Sequence, residues 1–92
     1  MSKIGIYPGT FDPITNGHID VVKRSLKIVN KLIIAASNDY TKDYLFSVDE
    51  RVSIIKNSLF KDLKLKTQRI KVLSFNTLTT SLCSKYKATI LF

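Results

Sequence analysis

Tyr7-Pro8-Gly9-Thr10-Phe11-Asp12-Pro13-Ile14-Thr15-Asn16-Gly17-His18 is the stretch that decides the fold. A short apolar run, residues 4–7, precedes it. Ile19, Val22, Leu26 and Val29 follow it at helical spacing. The stretch therefore reads as a turn-rich loop between a strand and a helix. It delivers the chain's single histidine to the start of that helix.

Working outward, residues 3–7 read as the first strand. The first helix runs from Gly17 or His18 to about Asn30, where asparagine is a suitable stop. Its apolar residues share one face, and Lys23, Arg24 and Lys27 fall mostly elsewhere. Residues 32–36 (Leu-Ile-Ile-Ala-Ala) are apolar without alternation. That is the pattern of a strand covered on both faces of a parallel sheet. Residues 37–46 are polar and tyrosine-containing, a loop. Ser47-Val48-Asp49-Glu50 has the spacing of a capping box and opens a second helix to about residue 60. A basic connector (61–68), a third strand (70–75), a short third helix (78–86) and a fourth apolar run (88–92) complete the chain.

The order β-α-β-α-β-α-β predicts an α/β fold with right-handed crossovers. We read it as a Rossmann-like doubly wound parallel sheet, truncated after the fourth strand, because nothing follows that could cover the last strand. Residues 1–92 are expected to form one domain, incomplete at its C-terminal end.

Composition narrows the function. A hydrophobic content of 45% argues against disorder. No apolar run is long enough to span a bilayer, and the N-terminus lacks the apolar core of a secretory signal. The single cysteine, Cys83, forms no intramolecular disulfide, which points to a reducing, cytoplasmic setting. The formal net charge of +8 favours anionic partners. The lysines are scattered, without a dense basic run or interleaved stacking aromatics, so a solvated surface is a better reading than a nucleic-acid footprint.

The loop itself points to phosphate. Ligands of open α/β sheets bind at the carboxyl ends of strands, beside helix N-termini. Free amides at such a terminus favour an anion. Gly9 and Gly17 would let backbone approach closely or turn with positive φ, and Pro8 and Pro13 would stiffen the loop. Thr10 offers a hydroxyl and an amide, and His18 a short-range donor. Singly, each residue has an ordinary alternative: a surface histidine, common turn glycines, an Asp12 bonding nearby backbone. Together, between a strand and a helix, they favour a phosphate site. The Gly-Lys-Ser/Thr of a Walker loop and the three-glycine dinucleotide pattern are both absent.

The stretch from Tyr7 to Asp20 resembles the signature of bacterial phosphopantetheine adenylyltransferases, with Thr15 to His18 as the T-x-G-H form of the nucleotidylyltransferase motif. Further similarities lie at Lys42, at Leu45 to Arg51 around the start of the second helix, at Leu78-Thr79, and at Ala88 to Leu91. The family's Arg-Gly-Leu-Arg segment, a later glutamate and a serine-rich nucleotide loop have no counterpart among these residues. Residues 38–42 depart from the family's usual lysine-rich pattern.

The resemblance implies adenylyl transfer from ATP to 4′-phosphopantetheine, giving dephospho-coenzyme A and pyrophosphate. It implies His18 as the catalytic residue, stabilising the transition state and contacting ATP. It implies Thr10 and Phe11 as nucleotide contacts, with Thr10, Lys42 and Thr79 toward phosphopantetheine. Mg²⁺ would travel with ATP rather than in a protein cage. A homo-oligomer, hexameric in the family, is implied as well. Two other readings stay open at this point: a catalytically inactive fragment of such an enzyme, and a basic non-enzymatic nucleotide- or nucleic-acid-binding module.

Overall fold

A computed structural model of the chain describes residues 3–39, 43–65, 67–76, 85–88 and 90–92. The apolar runs become strands β1 (Ile4–Gly9), β2 (Lys31–Ser37), β3 (Ile70–Phe75) and β4 (Ile90–Leu91). All pair in parallel, in the order β3-β2-β1-β4. Ile6 lies opposite Ile33, and Ile33 opposite Lys71, and such register partners share a face of the sheet.

The unbroken run in β2 is buried on both faces, as expected. Leu32, Ile34 and Ala36 join the main cluster with Phe11, Val22, Val29, Ile55 and Leu59. Ile33 and Ala35 point the other way, to a smaller cluster with Ile6 that Leu73, Phe75 and Tyr86 flank.

Helix α1 (Asn16–Ser25) is shorter than the apolar spacing predicts. The chain leaves it at Leu26, and the amides of Lys27 and Ile28 bond the carbonyls of Arg24 and Ser25 in a tightened turn. The stop is imposed from outside. Arg69, just before β3, donates from Nη2 to the carbonyls of Leu26 and Val29 and from Nε to that of Asn30. A cation at a helix C-terminus also opposes the macrodipole. Asn30 itself ties the turn to β1, accepting from the Lys3 amide at 2.8 Å.

Helix α2 (Val48–Lys56) starts at the predicted capping box: Ser47 and Glu50 exchange side-chain-to-backbone bonds at 3.2 and 3.3 Å. It is α-helical only to Lys56 and continues as a π-helical segment, Asn57–Asp62. The wider turn keeps Leu59 fully buried with Phe60 packed beside it. Of the predicted third helix, residues 78–84 lie outside the described residues, and Lys85 and Tyr86 are helical. The fourth strand is shorter than predicted, although the Phe92 amide still bonds the Ile6 carbonyl. No described helix is long and apolar enough to cross a membrane.

The strand order places the candidate loop. The chain steps outward from β1 through β2 to β3, then returns to lay β4 on the other side of β1. The carboxyl end of β1 therefore lies at the reversal point of the sheet, where a crevice opens.

Candidate functional site

Thr15 is the N-cap of α1, and His18 is the third helical residue. The Thr15 hydroxyl accepts from the His18 amide at 3.4 Å, and His18 Nδ1 accepts from the Thr15 amide at 3.0 Å. This is a capping box with histidine in the glutamate position. It fixes the ring chemistry. A backbone N–H can only donate, so Nδ1 is the acceptor, and the proton of the neutral imidazole is assigned to Nε2. The cap thus leaves His18 as a donor through Nε2.

Aromatic packing holds the same ring. Phe11 meets it edge-on, with centroids 4.9 Å apart, and Tyr7 meets Phe11 at 5.2 Å. Phe11 is 1% exposed, so its ring belongs to the core and only its backbone can meet a ligand. It does so at a φ of 49°, a conformation a bulky residue adopts only when its surroundings enforce it. Burial pushes the Tyr7 phenol above its ordinary range, so it stays neutral.

Of the two expectations for the glycines, the positive-φ turn is excluded. Neither has positive φ. Gly9 belongs to β1 and leaves room for the Phe11 ring: a Cβ there would lie 3.0 Å from two ring carbons. Gly17 sits in the first turn of α1, where a Cβ would meet only the Thr15 hydroxyl, at 3.6 Å. The amides of Asn16 and Gly17 have no acceptor within the helix. No acidic residue occupies that first turn, whereas α2 carries Asp49 and Glu50 in its own. The positive end of α1 is therefore uncompensated from within.

Asp12 does not bond nearby backbone. Its carboxylate accepts from the amides of Leu45 and Phe46, at 2.6 and 2.9 Å, in the loop before α2. Arg51, on α2, answers in the opposite sense. Its Nη1 donates to the carbonyls of Thr10 (2.8 Å) and Ser37 (2.7 Å), and its Nε to that of Phe46 (3.1 Å). The side chain is fully buried, with Tyr44 stacked 4.0 Å from the guanidinium carbon. Among the described residues Nη2 has no hydrogen-bond partner, and no carboxylate pairs with this charge. A buried donor without a partner costs about 1–3 kcal/mol.

Of the predicted site residues, the structure brings Thr10, Phe11 and His18 together at the end of β1, with Thr10 exposed. Lys42 and Thr79 lie outside the described residues. The sequence reading passed over Arg51 and the cap at Thr15. The cap had a signal: Thr15 and His18 have the same spacing as Ser47 and Glu50. Arg51 had none, because its partners are backbone carbonyls up to 41 residues away. Among the described residues, no group of three or more His, Cys, Asp or Glu side chains could hold a metal ion. A cavity of about 460 Å³ lies elsewhere, around Ile4, Lys31, Ile33, Lys71 and Tyr86. Its arginine, Arg69, is the one engaged at the end of α1, and the cavity does not include Thr10, Phe11 or His18.

Residues 6–91 match the cytidylyltransferase-like family model. The chain is 56% identical over 91 residues to phosphopantetheine adenylyltransferase of Pelagibacter ubique (strain HTCC1062), covering 99% of this chain and 56% of that protein. It is 48% identical over 88 residues to the enzyme of the same name from Francisella tularensis subsp. novicida (strain U112), covering 96% of this chain and 51% of that protein. The chain thus spans about half the length of these curated relatives. Among solved structures, a bifunctional NMN adenylyltransferase/ADP ribose pyrophosphatase from Francisella tularensis superposes with a TM-score of 0.75 at 16% identity, over 95% of this chain and 27% of that one. A lipopolysaccharide core biosynthesis protein from Thermoplasma volcanium GSS1 gives 0.73 at 21%, over 99% and 73%. At such identities these two likenesses establish the Rossmann-like fold.

Proposed function

We propose, from the premise that this chain belongs to the cytidylyltransferase-like family, that its β1–α1 loop is the catalytic wall of an adenylyltransferase acting on ATP and 4′-phosphopantetheine. The name shared by the relatives at 56% and 48% identity supports the substrates. The observation that carries the chemistry is the bond from the Thr15 amide to His18 Nδ1, which keeps the ring proton on Nε2 at an uncompensated helix N-terminus.

In the proposed reaction a phosphate oxygen of 4′-phosphopantetheine attacks the α-phosphorus of ATP. The bond from that phosphorus to the bridging oxygen breaks, and pyrophosphate leaves with the electron pair. The products are dephospho-coenzyme A and pyrophosphate. No protein nucleophile takes part, so the chain's work is positioning and stabilisation of charge. His18 donates from Nε2 to an α-phosphate oxygen. The backbone of Thr10 and Phe11 meets the nucleotide, and the Thr10 hydroxyl faces the acceptor phosphate. Lys42 supplies a point charge to that phosphate, and Thr79 meets the pantetheine arm.

ATP is taken as the complex with Mg²⁺, held by the nucleotide's own phosphates. The described residues do not fit a protein-held ion: they form no such cluster, and both Asp12 oxygens already accept backbone amides. We take residues 1–92 as part of one nucleotidylyltransferase domain. A cytoplasmic setting and a homo-oligomer belong to the same reading.

Pyrophosphate release on mixing the chain with Mg·ATP and 4′-phosphopantetheine tests it. Release by the wild type and its loss in His18→Ala, by roughly a hundred-fold or more as for other charge-stabilising donors, is the expected result. No release by the wild-type chain contradicts the activity.

A further inference from the structure

We propose that Asp12 and Arg51 form a reciprocal clamp that sets the spacing of the two loops flanking the site, and that both are positioning residues for its chemistry. The proposal rests on reading the β1–α1 loop as a nucleotide site.

Asp12 reaches from the β1–α1 loop to two amides of the loop before α2. Arg51 reaches back from α2 to the Thr10 carbonyl of the first loop, to the Ser37 carbonyl at the end of β2, and to the Phe46 carbonyl of the second loop. Phe46 is thus held on both sides, its amide by Asp12 and its carbonyl by Arg51. The two side chains bracket the backbone of both loops with charges of opposite sign, and charge-assisted bonds of this kind are the stronger ones.

Tyr44 joins the same network: its ring stacks on the guanidinium, and its hydroxyl accepts from the Asp39 amide at 3.0 Å.

The composition of the clamp argues against a purely packing role. A buried arginine with one donor unpartnered and no ion pair among the described residues is a costly way to fill space. What it provides is one planar group that fixes three carbonyls from three segments, which lysine or an apolar residue cannot do. Thr10 hangs from this group, and Phe11 and His18 follow in the same loop.

The test uses the whole 92-residue chain with D12N, R51K and the double variant. Melting curves fix the folded fraction of each. Amide exchange at Leu45 and Phe46 reads one side of the clamp, and the Arg51 Nε–H resonance reads the other. The imidazole resonances of His18 and calorimetric titration with Mg·ATP read the site. Exchange at Leu45 and Phe46 is expected to rise roughly two- to ten-fold in D12N, the loss of one net hydrogen bond. R51K, although Arg51 bonds neither amide, is expected to raise it too. Both variants should shift the His18 resonances and weaken ATP binding by the folded fraction, and the double should be less than additive.

A purely structural pair would lower the melting temperature and leave the His18 signals and ATP affinity of the folded fraction unchanged; that overturns the proposal. If R51K does not fold, D12N decides the matter. Unchanged Arg51 Nε–H and His18 resonances in D12N overturn it, and coordinated shifts support it. A wild-type chain that binds no ATP overturns the nucleotide reading instead, and the clamp then stands or falls on exchange and the two resonances.

Discussion

A methyl group added at Gly9 would lie 3.0 Å from Cε2 and Cζ of Phe11, a ring that is 1% exposed and cannot withdraw. Gly9→Ala is therefore expected to destabilise the fold by about 1–3 kcal/mol through overpacking. Gly17→Ala should do the reverse. Its Cβ meets only the Thr15 hydroxyl at 3.6 Å, and alanine in a helix is worth about 0.5–1 kcal/mol over glycine. If a phosphate approaches the first-turn amides, that same methyl group lowers ATP affinity. Chemical denaturation and calorimetry on the two variants check both signs. In the sequence the two glycines read alike, as sites of close backbone approach. The difference lies in what packs against them, which no local pattern records. Phe11 shows the same limit: the resemblance implies a nucleotide contact there, and no local pattern records that its side chain is buried in the core.

At the N-terminus of α1 the proposal gives one side chain a structural and a chemical duty. Nδ1 of His18 completes the cap, and Nε2 takes no part in it. Glutamate in a capping box can accept the Thr15 amide as the imidazole does, and it has no donor of its own. His18→Glu is thus expected to keep most of the stability that His18→Ala loses, about 1 kcal/mol by analogy with other N-caps. Both variants should abolish the proposed donation to phosphate. Thermal melting beside the pyrophosphate assay separates the two duties. At this scale much was legible. The four apolar runs, their parallel arrangement, the buried character of β2 and the box at Ser47 and Glu50 follow from period, length and capping chemistry. The ends of α1 and α2 were not. α1 stops where Arg69 collects its carbonyls, an interaction about 40 residues away, and α2 widens into a π-helical turn around a buried Leu59.

Across the whole molecule, two arginines do the long-range joining. Arg69 secures the C-terminal end of α1 beside the start of β3, and Arg51 secures the carboxyl ends of β1 and β2. The sheet order puts the loop at the reversal point, and a net charge of +8 favours anionic partners for the chain as a whole. The place of the candidate loop was therefore readable from the order of elements. The devices that hold it were not, because side-chain-to-backbone bonds between distant segments leave no spacing in the sequence. The central claim is that this loop presents His18 to phosphate through Nε2. Long-range proton–nitrogen correlation of the imidazole tests it most directly, since His18 is the only histidine in the chain. Spectra are recorded with and without Mg·ATP. The account predicts the Nε2–H tautomer in the free chain and a saturable shift of Nε2 on adding ATP, with Nδ1 remaining an acceptor. A proton on Nδ1, or an Nε2 resonance indifferent to saturating ATP, would contradict it.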